Sequence, residues 1–332
     1  MDAIPPENFR SAVRWGLIGC GDIARRRVAP ALSDSPYSEL IAVSRANSNL
    51  LSEFADRFEV QHRFARWQEL VQSNQINALY IATPVNLHAE QAIAAADAGK
   101  HVLCEKPMAL NVADCDRMIA AAKANNVKLG IAYYRQFYPV VARIKNLIDS
   151  GEIGKPIFVA VNAFEWFNPP PSNSRAWLLK PEISGGGPMF DFGCHRIQIL
   201  LHLFGPIQTV KAITSKALFD REVEDTAVAT FAFSGGTLAT LTVSHAVIES
   251  GDTFVIWGSE GSINIDVLNQ GTITVRTRTD ERTESLPPAP NIHQPLIDDF
   301  ARAIIDDRQP LVTGAMGREV AQIEEAIYGN AN

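Results

Sequence analysis

The first half of the chain alternates between short apolar runs and runs with helical spacing. The apolar runs predict buried strands, at residues 13–18, 40–44, 78–82, 101–104 and 128–132. Between them, apolar positions repeat with the period of a helix and predict helices at residues 23–32, 50–58, 67–72, 88–98 and 113–124. Asn111 stands at the N-cap position of the last of these helices. Strands that alternate with helices predict a parallel sheet covered on both faces.

Beyond residue 138 the pattern becomes that of a largely antiparallel sheet. Alternating segments rich in β-branched and aromatic residues predict strands, at residues 157–164, 209–215, 226–233, 237–245, 253–257, 262–267 and 272–277. Glycine-containing turns separate several of them. Helices are expected beside this sheet, at residues 139–148, 194–203, 295–305 and 317–327. The length suits about two domains, so the chain is expected to be an α/β protein with two different sheets.

Composition and charge narrow the class of protein. The 332 residues are 46% hydrophobic and 20% charged, which is typical of a globular protein with a full core. A formal net charge of −7 gives no basic surface for nucleic acid, and no apolar run is long enough to span a membrane. The first residues lack a secretory signal, and the four cysteines form no CxxC pair. We therefore expect a cytoplasmic protein that binds neither nucleic acid nor membrane.

A glycine-rich turn joins the first predicted strand to the first predicted helix. Gly19 allows the tight turn, Gly21 lets the backbone approach a pyrophosphate, and Ala24 takes the third small position. Free N–H groups at the helix start would bind the phosphates. A plain packing turn would explain the glycines alone, but the strand–turn–helix context favours a dinucleotide-binding fingerprint. The cofactor contacts expected here are Gly19, Cys20, Gly21, Asp22 and Ile23.

The end of the second predicted strand indicates which dinucleotide is bound. An NAD-binding unit has an Asp or Glu near this point for the ribose 2′-hydroxyl, but this chain has Ser44 and Arg45. Arg45 suits the 2′-phosphate of NADP, with a hydrogen bond from Ser44. A surface arginine is the alternative. We expect NADP, with NAD less favoured.

A polar segment follows the strand predicted at residues 78–82, on the sheet edge that also carries the glycine turn. Asn86 fits a helix cap as well as a cofactor contact. Thr83, Pro84 and His88 are expected to line the nicotinamide half of the cofactor, and Ala82 and Asn86 are further expected cofactor contacts.

Glu105, Lys106 and Pro107 follow the strand predicted at residues 101–104. Lys106 is expected over the nicotinamide, where its charge would bind a substrate hydroxyl and oppose a developing oxyanion. Burial beside the cationic oxidised nicotinamide is expected to lower its pKa. Glu105 is expected to contact the cofactor and to orient groups rather than react. A structural salt bridge between Glu105 and Lys106 is the alternative.

Asp191 and His195 follow a run of three glycines and stand four residues apart. A helix would place them on one face, and a histidine beside a carboxylate suits general-base catalysis. An N-cap aspartate with a core histidine is the alternative. No further metal ligand is apparent, so no metal is expected.

These motifs together resemble the Gfo/Idh/MocA oxidoreductases, which include glucose–fructose oxidoreductase and inositol dehydrogenase. The resemblance spans nearly the whole chain. It implies an N-terminal arm at residues 1–12, a Rossmann domain at 13–136, and an α+β domain for substrate binding and oligomerisation at 137–332. The second domain is expected to have a large, open, mostly antiparallel sheet that pairs subunits into a homodimer or homotetramer. The resemblance also implies a cis peptide bond before Pro107 and a catalytic set of Lys106, Asp191 and His195.

The expected substrate is a sugar or polyol, oxidised or reduced at a CH–OH or C=O carbon. Dihydrodiol or dicarbonyl reduction, redox-assisted glycoside cleavage and non-catalytic NADP binding stay open as alternatives. Gln198 stands where many members have an Asp, so the chain lies between subgroups. By resemblance, Trp177 contacts the cofactor side and His293 faces the substrate. The expected substrate contacts are Tyr134, Arg135, Trp166, Asp191, His195 and His293.

Overall fold

The computed structural model describes residues 12–329, so all but the last residue of the predicted N-terminal arm lies outside the described part. The first six strands are β1 Val13–Ile18, β2 Ser38–Ser44, β3 His62–Phe64, β4 Ala78–Ile81, β5 His101–Cys104 and β6 Leu129–Ile131. They form a parallel sheet in the order β3-β2-β1-β4-β5-β6. The prediction missed only β3, because His62, Arg63 and Phe64 form no apolar run.

Helices cover both faces of this parallel sheet, as predicted. They are α1 Ala29–Asp34, α2 Ser48–Arg57, α3 Trp67–Val71, α4 His88–Asp97 and α5 Val112–Ala124. Leu17 of β1 packs in a core that includes α1 and α2, while its neighbour Ile18 packs in a second core that includes α4 and α5. Asn111 caps α5, since its side chain accepts a hydrogen bond from the Asp114 N–H at 2.8 Å.

The second sheet has eight strands and is mostly antiparallel, as expected. The strands are β7 Pro156–Trp166, β8 Ile207–Ser215, β9 Thr226–Phe233, β10 Leu238–Ser244, β11 Ala246–Gly258, β12 Gly261–Ile265, β13 Thr272–Thr277 and β14 Glu281–Ser285. Their order is β14-β13-β12-β11-β7-β10-β9-β8, and only β7 and β10 pair in parallel. The prediction missed β14, because this polar edge strand has no apolar positions to reveal it.

The remaining helices connect the two sheets. They are α6 Pro139–Asp149, α7 Pro181–Ser184, α8 Cys194–Phe204, α9 Gln294–Ile305 and α10 Gly314–Gly329. Ile144 of α6 and Ile197 of α8 belong to the core that covers one face of the second sheet. Helix α9 returns to the first sheet, where the Phe300 ring lies 5.7 Å from that of Trp15. Among the helices of residues 12–329, none has the length and apolar character needed to cross a lipid bilayer.

Candidate active site

The glycine turn after β1 has the shape that a pyrophosphate requires. Gly19 has a φ of +94°, and a Cβ there would lie 2.5 Å from the Ala82 carbonyl oxygen. Gly21 is the opposite case, because a Cβ there would meet nothing within 4 Å. The chain then enters a π-helical turn, Ala24–Val28, directly before α1. The turn therefore packs closely against the loop after β4 and leaves its open side to a ligand, which fits a dinucleotide.

Arginines surround the cavity beyond this turn. Arg45 follows β2, and its guanidinium donates a hydrogen bond to the Cys20 carbonyl. Arg25 and Arg57 line the same end of the cavity. Ser44 is buried and does not line the cavity; it contributes a backbone carbonyl that accepts from the Gly19 N–H at 3.1 Å. The structure thus supports the predicted position of Arg45 and corrects that of the Ser44 side chain.

The segment after β4 is only partly in the expected place. Ala82, Thr83 and Pro84 line the cavity. Asn86 is exposed and lies off the cavity wall, and it does not cap α4, whose N-cap is Leu87 without a side-chain bond. Asn86 does not reach the N-cap position of α4 because it lies inside a 3-10 turn, Val85–Leu87, that precedes the helix.

His88 was also expected to contact the nicotinamide half, but its imidazole is buried away from the cavity. Its Nδ1 lies 2.9 Å from the Pro107 carbonyl oxygen, and its Nε2 lies 2.9 Å from that of Thr83. Burial lowers its pKa. His88 therefore ties together the loops that follow β4 and β5 instead of facing the nicotinamide.

The turn after β5 presents Lys106 to the cavity. The Lys106–Pro107 peptide bond is cis, as the resemblance predicts. Glu105 also lines the cavity, and its Oε1 accepts from the Tyr80 hydroxyl at 2.8 Å and lies 3.4 Å from His293 Nε2. Burial opposes the charge of Glu105, but the His293 and Tyr80 contacts outweigh it, and the net shift of its pKa is downward. Glu105 thus has other partners, and no salt bridge joins it to Lys106 within the described residues.

Asp191, rather than Glu105, is the ionic partner of Lys106. Asp191 Oδ1 lies 3.7 Å from the Lys106 ammonium, which also donates to the Asp191 carbonyl. Burial by itself would lower the pKa of Lys106, but Cys194 and Asp191 outweigh it and the net shift is upward. The lowered lysine pKa expected beside an oxidised nicotinamide stays a prediction, since the upward shift comes from the protein's own residues.

Asp191 does not pair with His195. Its Oδ2 lies 3.6 Å from Arg175 and 3.6 Å from His245 Nε2. Burial opposes its ionisation, but the contacts with His245 and Lys106 outweigh this and hold its pKa well below the usual range. The helical spacing predicted an Asp191–His195 pair, and this is wrong because stronger cationic partners occupy the carboxylate.

His195 lies in the same cavity with aromatic neighbours. The centroid of its ring is 4.7 Å from that of Tyr134 and 5.7 Å from that of Tyr133, edge-on in both cases. Only 2% of His195 is exposed, and its Nδ1 has no hydrogen-bond partner. Burial, followed by Arg135 and Lys106, lowers its pKa well below the usual value. His195 is therefore a neutral imidazole at neutral pH.

A cavity of about 650 Å³ joins the glycine turn to the residues of the second half of the chain. From the first half it includes Cys20, Gly21, Asp22, Ile23 and Arg45. The other end carries most of the predicted catalytic and substrate residues: Lys106, Tyr134, Arg135, Trp177, Asp191, His195 and His293.

Trp166, a predicted substrate contact, does not line the cavity. It is 51% exposed, and its ring packs edge-on against Phe219 at 5.1 Å. Side chains alternate between the faces of a strand, so the preceding residue, Glu165, lines the cavity instead. Glu165 is the one charged residue in β7, and this was a usable signal in the sequence.

Sequence reasoning also missed Arg175 and His245. Arg175 comes from the loop before α7, and its guanidinium lies 4.4 Å from the centre of the Phe167 ring. His245 directly follows β10 and is fully buried. Ligand atoms of Glu165, Asp191 and His245 all lie within 4.8 Å of one another. A histidine at the end of a predicted buried strand was the available signal.

Comparisons with known proteins agree with this architecture. Residues 13–133 match a family model described as the oxidoreductase family with an NAD-binding Rossmann fold, and residues 141–264 match the GFO/IDH/MocA C-terminal domain. Oxidoreductase P35 of Formosa agariphila is 33% identical, over 87% of this chain and 90% of the relative. The 1,5-anhydro-D-fructose reductase of Ensifer adhaerens is 31% identical, over 96% of this chain and 97% of the relative.

Solved structures share the fold of nearly the whole chain. Levoglucosan dehydrogenase in complex with NADH and levoglucosan superposes with a TM-score of 0.89 at 26% identity, covering 97% of each chain. The aldose-aldose oxidoreductase from Caulobacter crescentus, complexed with glycerol, superposes with a TM-score of 0.88 at 26% identity, covering 97% of this chain and 98% of the other.

Proposed function

The chain belongs to the Gfo/Idh/MocA family of oxidoreductases, and from this premise we propose that it moves a hydride between NADP and a CH–OH or C=O carbon of a sugar or polyol. It is a nicotinamide-dependent enzyme with a Rossmann fold. One observation carries the proposal for this chain. Lys106 at the end of β5 and His195 at the start of α8 line one cavity with the glycine turn.

The roles of the residues follow from their charge states. A bound nicotinamide supplies the hydride acceptor or donor. In oxidation, neutral His195 takes the proton of the substrate hydroxyl; in reduction the ring first binds a proton from solvent and then gives it to the carbonyl oxygen. Lys106, whose pKa is raised, stays charged, orients the hydroxyl and stabilises negative charge on its oxygen. Asp191 stays ionised and holds the ammonium in place.

NADP is the proposed cofactor because the end of β2 is cationic. Arg45 and Arg57 line the cavity, and the acidic residue that would bind a ribose 2′-hydroxyl is missing at positions 44 and 45. Arg25 lines it too, but lies 3.9 Å from the carboxylates of Asp22 and Glu53. The solved relatives include NADH complexes, so both cofactors belong in the test. Fluorescence titration with NADPH and with NADH is expected to show tighter binding of NADPH.

The proposed substrate contacts all line the cavity: Tyr134, Arg135, Asp191, His195 and His293. Tyr134 lies between His195 and His293, with ring centroids 4.7 Å and 4.6 Å away. Arg135 is fixed behind it, because its Nε donates to Asn269 Oδ1 at 3.3 Å. Trp177 is proposed to contact the cofactor side of the cavity. Ser44, Asn86, His88 and Trp166 lie outside the cavity wall and are not included.

The second sheet supports the proposed assembly. Its outer face exposes apolar side chains, among them Ile157, Ile213, Leu238 and Trp257. Such a surface is typical of an interface, and we propose a homodimer or homotetramer formed through it.

We also propose that the boundary between the Rossmann domain and the second domain lies between residues 136 and 137. All four cysteines are free and buried, as suits the proposed reducing cytoplasm.

The decisive experiment is a substrate panel followed by the absorbance of NADPH. It includes aldoses, anhydrosugars, inositols and other polyols, together with dihydrodiols and dicarbonyls, since a trans-dihydrodiol dehydrogenase of Mus musculus is 30% identical over 83% of this chain. Turnover of a sugar or polyol is expected. Turnover confined to dihydrodiols or dicarbonyls would overturn the proposed substrate class.

A further inference from the structure

A buried histidine lies behind the Lys106–Asp191 pair. His245 Nε2 is 3.6 Å from Asp191 Oδ2 and 3.8 Å from Glu165 Oε1. The ring is fully buried and does not line the cavity. The rings of Phe167 and Phe192 hold it, with centroids 4.9 Å and 5.2 Å away. His245 therefore acts on the cavity only through the two carboxylates.

The proton position on His245 follows from its other nitrogen. Arg221 places a guanidinium nitrogen 3.1 Å from His245 Nδ1. A guanidinium can only donate hydrogen bonds, so Nδ1 accepts and the proton of the neutral ring is on Nε2. Arg221 is itself fixed, because it donates to the carbonyls of Phe167 at 2.9 Å and Glu224 at 2.8 Å. The Nε2–H group therefore points at the carboxylates.

We infer that His245 is a positioning residue: with its tautomer set by Arg221, it directs Nε2–H at Asp191 Oδ2 and keeps Oδ1 turned toward the Lys106 ammonium. The order of contacts is Arg221, His245, Asp191, Lys106. At 3.6 Å the Nε2–Oδ2 contact is longer than a formed hydrogen bond. Hydrogen bonds of this kind commonly tighten when an active site is loaded.

Glu165, Asp191 and His245 have the spacing of a divalent-cation site, but their surroundings disfavour a bound cation. A metal bound at Nε2 would require the proton on Nδ1, where the Arg221 donor already lies. Two cations, Lys106 and Arg175, also lie 3.7 Å and 3.6 Å from the Asp191 oxygens. Glu165 is a second acceptor for the His245 Nε2–H group. Burial, followed by the charge of Asp191, raises the pKa of Glu165.

The kinetic test rests on the proposed function and compares three variants of the full chain. His245→Leu removes the donor and is expected to reduce kcat by about 10- to 100-fold with little change in KM. His245→Gln keeps an N–H donor and is expected to recover most of the lost activity. His202→Leu, at a partly buried histidine of α8 away from the cavity, is the control for a histidine-to-leucine change outside the site. Equal losses in His245→Leu and His245→Gln would overturn the inference.

The pH profile separates positioning from simple structural damage. Lys106 is faced by Asp191, Cys194, Tyr134 and Glu105, and also by His195 and Glu324. Asp191 is the carboxylate that His245 contacts. Loosening Asp191 weakens its support of the ammonium, so the alkaline limb of kcat/KM is expected to move to lower pH in His245→Leu. An unmoved alkaline limb would contradict the inference. NADPH affinity is expected to stay the same in all three variants.

A second readout needs no substrate. NMR of the ¹⁵N-histidine-labelled, NADPH-loaded protein is expected to show His245 with an unprotonated Nδ1 and a protonated Nε2. Protonated Nδ1, or a shift of its resonances on addition of Mg²⁺, Mn²⁺ or Zn²⁺ with a gain in Tm, would overturn the inference in favour of a cation site. If the wild type turns over nothing in the panel, the proposed function fails while the NMR result still decides the role of His245.

Discussion

His195→Asn is the substitution that tests the proposed chemistry most directly. Asparagine keeps a polar side chain in the cavity but cannot accept and release the proton. The ring is 2% exposed, and its surroundings keep it neutral. The substitution therefore removes a base that is ready to act at neutral pH.

The expected loss follows from what proton transfer contributes. A positioned general acid–base group contributes about 10²–10⁴-fold. At about 1.4 kcal/mol for each factor of ten, this is about 3–5 kcal/mol of transition-state stabilisation. His195 makes no hydrogen bond through Nδ1 that the substitution would break. The loss is thus expected in kcat, with little effect on folding.

The assay is steady-state turnover of the substrate that the panel identifies, with NADPH affinity measured by fluorescence on the same preparation. Turnover is expected to fall by about 10²–10⁴-fold while the Kd for NADPH stays nearly constant. His202→Asn, on the same helix, is the matched control and is expected to keep full activity. If His195→Asn retains wild-type turnover, His195 has no part in the reaction.

Three further predictions concern the cofactor, the fold and pH. Arg45→Gln is expected to weaken NADPH binding by about 10- to 100-fold, the value of a charge-assisted hydrogen bond, and to leave NADH binding nearly unchanged in the same titration. Gly187→Ala puts a Cβ into the Glu224 carbonyl, so it is expected to lower the free energy of unfolding, measured in urea, by about 1–3 kcal/mol. Gly235→Ala is the control, because a Cβ there meets nothing within 4 Å. His88 and His195 have lowered pKa values in the fold, so the unfolded chain binds more protons below the usual value of 6.5, and stability is expected to fall as pH drops through that range. His195→Asn should lose less stability over the same interval, and an equal loss would exclude His195 as a contributor.

The positions of residues at strand ends were predictable from the sequence. In a parallel sheet the carboxyl ends of β1, β2, β4 and β5 share one edge, so Gly21, Arg45, Thr83 and Lys106 were expected to meet and do line one cavity. This inference needs only the order of strands and helices. It does not depend on how any side chain is oriented.

Orientation is where the prediction failed. A single step along β7 exchanges Trp166 for Glu165 at the cavity, and an aromatic residue near the domain junction gives no information about that step. Asp191 and His195 have helical spacing, but a carboxylate is held by the strongest cations within reach, and Lys106 and Arg175 come from distant parts of the chain. Contacts between such distant segments cannot be read from local periodicity.

The separate surroundings of Asp191 and His195 divide the chemistry of the cavity into two parts. Lys106 and Asp191 support each other's charge, so the pKa of the lysine rises and that of the aspartate falls. Burial, followed by the charges of Arg135 and Lys106, lowers the pKa of His195. Environments that move pKa values apart assign acid and base roles to groups in one site. A charged lysine can then stabilise the substrate oxygen while a neutral histidine takes its proton, and an Asp191–His195 pair would have drawn the carboxylate away from the ammonium.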